Sequence, residues 1–281
     1  MTLLAVLMMI LAQSEPVFRS GVSLVRVDAQ AVDANGRVVE GLKPDDFRVL
    51  DEGVPQTLVN FSFAVEPLDL ILLFDTSGGM HDKILSIVRA AELGFNELRR
   101  TDRVSVRAFG KYSAEFLPFT DDLSAVNVSI LSQVIRNFGG TGKFETAADE
   151  AALRFGKEAK THRKRGVLII TGKAGVKEAN EAAIVRDFWG SDAILSELIL
   201  GPNGGNAVVD ETGGATIAAT TDLGTAFRDS VHYLRSGYTM YYALPDASTG
   251  AEHRLQVELT PEAANRLPNV RIRARSGYIA K

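Results

Sequence analysis

The sequence predicts an α/β protein: a mostly parallel sheet with helices on both faces, inserted in a small antiparallel β domain. Three observations carry this. Leu68–Phe74 is an almost wholly apolar run ending in the polar, glycine-rich stretch Asp75-Thr76-Ser77-Gly78-Gly79, as expected of a central strand buried on both faces. From Leu68 to about Gly237 apolar runs alternate with helical periodicity, the pattern of parallel strands joined by right-handed crossovers. Before and after that stretch the apolar period is two, as in antiparallel strands with one wet face.

The chain begins with an uninterrupted apolar run, Leu3–Ala12, followed by Gln13-Ser14-Glu15-Pro16. Its length suits the core of a signal peptide and falls short of a bilayer span. Residues 1–14 are therefore expected to be a signal peptide cleaved after Ser14, giving an exported protein, periplasmic or extracellular, with no transmembrane segment in the mature chain.

Residues 22–65 read as the first part of the β domain. Val25, Val27, Ala29 and Ala31 alternate with polar neighbours, as do Phe47 and Val49, and then Thr57, Val59, Phe61 and Phe63. Turn signals stand at Asp33-Ala34-Asn35-Gly36 and Asp51-Glu52-Gly53. Residues 66–237 read as the α/β domain. Ile84, Val88, Ala91, Phe95 and Leu98 mark a first helix, Ile130, Val134 and Phe138 a second, Ala148, Ala151, Ala152 and Phe155 a third. Ile184 and Phe188 mark a fourth, and Leu223, Phe227, Val231 and Leu234 the last. Strands are expected at Val104–Phe109, at the edge near Glu115–Phe119, at Val167–Thr171, at Ala193–Leu200 and near Ala215–Ala218. Residues 238–281 return to period two through Tyr238, Met240 and Tyr242, Leu255, Val257 and Leu259, and Val270, Ile272 and Ala274. Each β-rich end is too small to bury a good core, so the two are expected to fold together.

A chain of 281 residues with 46% hydrophobic and 23% charged residues is a packed globular protein long enough for two domains. Its net charge of -4 gives no general attraction to nucleic acid or anionic membrane. With no cysteine, disulfides, thiolate zinc sites and cysteine nucleophiles are excluded.

Leu68–Met80 resembles the first strand and metal-site loop of the von Willebrand factor type A (VWFA) domain, a Rossmann-like fold. The family's Asp-x-Ser-x-Ser is matched by Asp75 and Ser77, with Gly79 at the second serine. Its threonine loop is matched by Gly139-Gly140-Thr141, and Gly172, after Thr171, stands where its last aspartate is expected. The flanks resemble a bacterial VWFA-related group with an Asp-Phe-x-x-x-x-x-Gly segment, here Asp46-Phe47 to Gly53, and an Arg-x-Gly-Tyr ending, here Arg275–Tyr278. The resemblance implies non-enzymatic, adhesion-type binding of a protein ligand at the top of the sheet. The implied metal ligands are Asp75, Ser77 and Thr141, a partial and degenerate adhesion site. Mg²⁺ prefers six oxygens in near-octahedral geometry. Two glycines supply none, so weak or no Mg²⁺ binding is expected, with no other cofactor. Ligand contact is then expected from loop shape and backbone at Ser77, Gly78, Gly79, Gly140, Thr141 and Gly172. Without a metal, Asp75 is expected to cap the following loop through backbone N–H groups, and His81 and Asp82 to start the helix.

Other motifs fall short. Ser77 follows a strand, but a nucleophile elbow needs Gly-x-Ser-x-Gly and Asp75 holds the first glycine position, with His232 the only base to be guessed. Gly139–Lys143 lacks the first glycine and the final hydroxyl of a phosphate loop. Thr161–Arg165 is expected to be a solvated helix end, and Arg271, Arg273 and Arg275 a solvated edge-strand face. A structural or assembly role in the cell envelope is the alternative to ligand binding, with a serine hydrolase behind it.

Overall fold

The computed structural model describes residues 22–158, 162–172, 180–201, 205–220, 222–245 and 249–281. The expected signal peptide lies outside the described residues, as does Thr161. In chain order the first strands are β1 (Val22–Val32), β2 (Phe47–Asp51), β3 (Val54–Gln56), β4 (Leu58–Phe63) and β5 (Leu68–Asp75). Then come α1 (Ile84–Phe95), β6 (Arg103–Phe109), β7 (Ala114–Thr120), α2 (Leu123–Ser132), α3 (Phe144–Phe155), β8 (Lys164–Thr171), α4 (Glu181–Ser191) and β9 (Ala193–Ile199). The chain continues through α5 (Ala207–Glu211), β10 (Thr216–Ala218), α6 (Leu223–Arg235), β11 (Tyr238–Pro245), β12 (Glu252–Leu259), α7 (Pro261–Arg266), β13 (Arg271–Ala274) and β14 (Gly277–Ile279).

The central sheet runs β10-β9-β8-β5-β6-β7, parallel except for edge strand β7. Strand β5 is buried along its whole length, and alternate side chains enter different cores, as the two-residue period requires. Leu70, Leu72 and Phe74 pack with α1, α2 and α6. Ile71 and Leu73 pack with α3, α4 and α5. Asp75 continues the second set, which places its side chain on the α3 side at the carboxyl end of the sheet.

The two ends of the chain share two further sheets, β13-β1-β11-β4 and β14-β12-β2-β3. Strand β11 lies between β1 and β4, and β12 pairs with β2. Val25, Val27, Phe47, Val49, Tyr238, Met240, Tyr242, Leu255 and Tyr278 form one core across both sheets. Strands from both period-two ends thus pair in two sheets that share this core. No helix among the described residues is long and apolar enough to cross a membrane.

Several local expectations are corrected. Val59 is 57% exposed, because the β4–β11 register slips between Asn60 and Leu58; this bulge turns one residue outward while Leu58, Phe61 and Phe63 pack inward. The second helix starts at Leu123, where Asp122 caps Ser124 and Ala125 N–H; Val134 lies in a separate 3-10 turn, Val134–Asn137. Helix α7 had a legible signal, Thr260 as cap with Pro261 at the first helical position. Helix α5 has five residues and too short a period to read. The Leu98 end of the first helix lies beyond α1.

The two basic segments also differ from expectation. Residues 162–165 lead into β8, not out of a helix. Lys164 is 2% exposed; its ammonium donates to Ser236 O, and burial, opposed by Asp28, brings its pKa down to about 8. Arg163 binds Asp69 at 2.6 Å. On the arginine stripe, Arg273 donates to Gly214 O and Arg275 is buried, binding Asp192 and Arg26 O. Arg273 and Arg275 thus tie the flanking sheets to the α/β domain, Arg163 pairs within the central sheet, and Arg271 is exposed as expected.

Candidate functional site

Strand β5 ends at Asp75, and the loop after it is held by three sets of bonds. Ser77 N–H donates to Asp75 Oδ1 at 2.8 Å, so Asp75 caps its own loop as expected. Thr171 Oγ1 donates to Asp75 Oδ2 at 2.8 Å, tying β5 to β8. Thr76 N–H and Oγ1 both donate to Phe109 O, while Gly139 N–H donates to Thr76 O and Asn137 Nδ2 to Thr76 Oγ1. Thr76 is thus the junction of the β5, β6 and threonine loops.

The threonine loop turns on glycine. Gly139 and Gly140 have φ of 121° and 72°, a left-handed path that favours residues without a Cβ. A Cβ on Gly140 would also stand 3.0 Å from Gly110 O. This lets the loop lie against the end of β6 and turn Thr141 toward Asp75.

The result is one cavity of about 460 Å³ at the carboxyl end of the sheet, where ligands of open α/β folds bind. Its wall includes Asp75, Ser77, Gly78, Gly79, Gly140, Thr141 and Gly172, so every residue read from the sequence as a ligand or loop contact lies on it. Neither Ser77 Oγ nor Thr141 Oγ1 makes a hydrogen bond among the described residues. His81 lies outside the wall, exposed in the 3-10 turn Gly78–Lys83 with its imidazole beside Asp82 and against Phe138. Helix α1 starts only at Ile84, so His81 and Asp82 precede it. His232 binds Glu97 at 2.9 Å. No histidine meets Ser77 among the described residues.

Two charged wall residues were not found from the sequence. Lys83 ends the 3-10 turn, and its ammonium donates to Leu200 O at 3.2 Å. A Cβ added at Gly172 would stand 2.9 Å from Met80 Sδ and 3.7 Å from Lys83 Nζ. A cation therefore sits beside the position at which the resembled family carries an aspartate. Glu197, on β9, is 1% exposed, and neither carboxylate oxygen has a hydrogen bond, although Asn206 and Thr216 lie beside it. Burial pushes its carboxyl up to about 7. The signal was a single acid inside the apolar run Ala193–Leu200.

A second acidic group, Asp51, Glu52 and His253, brings ligand atoms within 4.8 Å of one another in the flanking sheets. Asp51 is already filled: Oδ2 accepts from Tyr242 and Tyr278, and Oδ1 stands 3.0 Å from His253 Nδ1. Glu52 accepts from Arg254 N–H. The group closes the core at the C-terminal tyrosine.

Comparisons with known proteins agree with this geometry. No curated protein matches the chain in sequence. Among solved structures, an aerotolerance-related membrane protein from Bacteroides fragilis NCTC 9343, carrying multiple mutations to serines, superposes with a TM-score of 0.50 at 16% identity, covering 59% of this chain and 98% of its own. A von Willebrand factor type A protein from Catenulispora acidiphila gives a TM-score of 0.50 at 11% identity, over 86% of this chain and 71% of its own. At such identities these likenesses show the fold. Residues 70–175, from β5 through the Thr171-Gly172 end of β8, match the von Willebrand factor type A domain.

Proposed function

We propose that this chain is a non-enzymatic, adhesion-type protein-binding module of an exported bacterial protein, and that its ligand docks at the cavity between the Asp75, Thr141 and Gly172 loops. The observation that carries this reading is the convergence of three separately encoded loops on one open cavity with two unbonded hydroxyls. The cavity needs no resident metal. Gly79 and Gly172 supply no side-chain oxygen, both Asp75 oxygens already accept a bond, and the Lys83 ammonium stands 3.7 Å from a Cβ added at Gly172. A lone Asp75 with two hydroxyls is a poor set for Mg²⁺. Among the described residues no histidine meets Ser77, which favours binding over hydrolysis. The apolar run Leu3–Ala12 supports export. Intact mass of the exported chain would then begin near Glu15, and full-length protein in the cytosol would argue against export.

The test uses Gly79. A Cβ there meets nothing within 4 Å, so Gly79→Tyr should fold normally and crowd the cavity mouth. Affinity capture from native envelope extract is run with the wild type and with this variant. Proteins retained by the wild type and lost with Gly79→Tyr support the reading. The same set retained by both overturns it, and moves recognition to the flanking sheets.

A further inference from the structure

Glu197 is the exception among the buried carboxylates. Asp46 binds Arg266 and Lys43 N–H, and Asp51 binds two tyrosines. Asp69 binds Arg103 and Arg163, and Asp102 accepts from Leu68 and Arg99 N–H. Asp75 accepts from Ser77 and Thr171. Glu197 alone, among the described residues, is buried with both oxygens unfilled, and it is also in the wall of the cavity. An ionised carboxylate held away from water without donors costs several kcal/mol, and the cost disappears when an opposite charge reaches it.

Among the described residues no cation pairs with Glu197. Lys83, the cation of the same wall, is bonded to Leu200 O and makes no ion pair among the described residues. A divalent cation is a poor candidate too. Strand register sets Glu197 opposite Ile169, one strand beyond Thr171 and two residues deeper than its partner Ile199, away from the oxygens of Asp75, Ser77 and Thr141. The wall includes the apolar side chains of Met80, Phe109 and Phe144. An apolar slot with a carboxylate in its wall suits a charged group carried on a methylene stem.

We propose that this cavity receives a basic side chain of the protein ligand, a lysine or arginine, with Glu197 as the acceptor of its charge. This rests on the reading of the cavity as the ligand site and adds the chemistry of what enters it. The stem lies against Met80, Phe109 and Phe144, and the ammonium or guanidinium reaches Glu197. Ser77 and Thr141 are left to bind the ligand backbone at the mouth. Set against Lys83, the carboxyl groups of Asp75 and Glu197 make the wall acidic on balance, which favours a cation over an anion.

The full exported chain is titrated with three capped tripeptides, acetyl-Gly-X-Gly-amide with X as lysine, arginine or norleucine, followed by chemical shifts. Lysine or arginine should bind saturably, and norleucine at least about tenfold more weakly, the scale of a charged hydrogen bond. Glu197→Gln should remove that advantage, and Glu197→Asp, which keeps the charge and shortens the arm, should retain part of it. If Glu197→Gln does not fold, the lysine–norleucine comparison and Glu197→Asp decide alone. Equal binding of norleucine, no binding of either basic peptide, or full binding by Glu197→Gln overturns the proposal. So does saturable Mn²⁺ binding that Glu197→Gln abolishes, which would make Glu197 a metal ligand. Capture that is lost with Gly79→Tyr but unchanged with Glu197→Gln would sink this inference and leave the protein-binding reading standing.

Discussion

Thr171 donates its hydroxyl hydrogen to Asp75 Oδ2 at 2.8 Å, across the β5–β8 seam at the floor of the cavity. The bond joins the first and last loops of the site through two buried side chains. Thr171→Val keeps the β-branched shape and removes this donor, leaving Ser77 N–H as the donor to Asp75 among the described residues. Loss of a donor to a buried charged acceptor should lower stability by about 1–3 kcal/mol in urea denaturation. A change within about 0.3 kcal/mol would mean that water replaces the hydroxyl without cost.

Lys83 changes what it takes to restore a metal site. Neither Gly79 nor Gly172 has a positive φ, so backbone strain does not bar side chains at these positions. The obstacle is local. A side chain at position 172 meets Met80 Sδ, and a carboxylate there would reach the Lys83 ammonium. The wild type should show no saturable shift in melting temperature with millimolar Mg²⁺. The double change Gly79→Ser and Gly172→Asp should show none either, because the new carboxylate pairs with Lys83. Adding Lys83→Met should release it. A ligand at one hundred times its dissociation constant stabilises by about 2.7 kcal/mol, a rise of roughly 5–10 °C for a chain of this size. A full shift in the double variant would show that Lys83 is no barrier.

The sheet and most of its helices were legible because their signals are local. Leu68–Phe74 can only be a doubly buried strand, and Asp75-Thr76-Ser77 follows it directly. The site loops were legible for the same reason. Charges were not, because their environment is set by residues far along the chain. Lys164 faces Ser236 and Asp28, and Arg275 faces Asp192 and Arg26; in sequence both look like solvated basic stripes. Lys83 carried no site signal, since nothing nearby in sequence reports that it reaches Leu200 O. Glu197 was visible as an acid in an apolar run, but the strand pattern gives no partner and so no role.

Glu197 should leave a pH signature. Its carboxyl titrates near 7 in the folded chain against 4.5 for an ordinary glutamate. Between those values the folded state holds a proton that the unfolded state has lost, so stability falls as pH rises. The penalty is absent below about pH 4.5 and complete above about pH 7, where it approaches about 3 kcal/mol. Glu197→Gln should therefore be as stable as the wild type at pH 4 and more stable at pH 8, by at most that amount. Parallel stability profiles for the two proteins across this range would show that Glu197 ionises normally.

The pairing of the chain's two ends gives the last prediction. Strand β11 lies between β1 and β4, with Met240 opposite Val27 on one side and Phe61 on the other. Tyr238 packs on Phe47, Phe61 and Phe63, and its hydroxyl donates to Val39 O. Strand β12 likewise supplies the neighbour of β2. Deleting residues 238–281 removes β11 to β14, so β1 and β4 lose their common partner and the Val25–Val49 core opens. Residues 22–63 should become protease-sensitive. The six-stranded sheet keeps all its strands, since none comes from the deleted segment, and Lys164 keeps Ser236 O as acceptor. A fragment spanning about residues 68–237 should accordingly resist proteolysis and retain cooperative unfolding. Continued protection of residues 22–63 in the truncated chain would mean that the first strands form a core without the last, and that the two ends are not one folding unit.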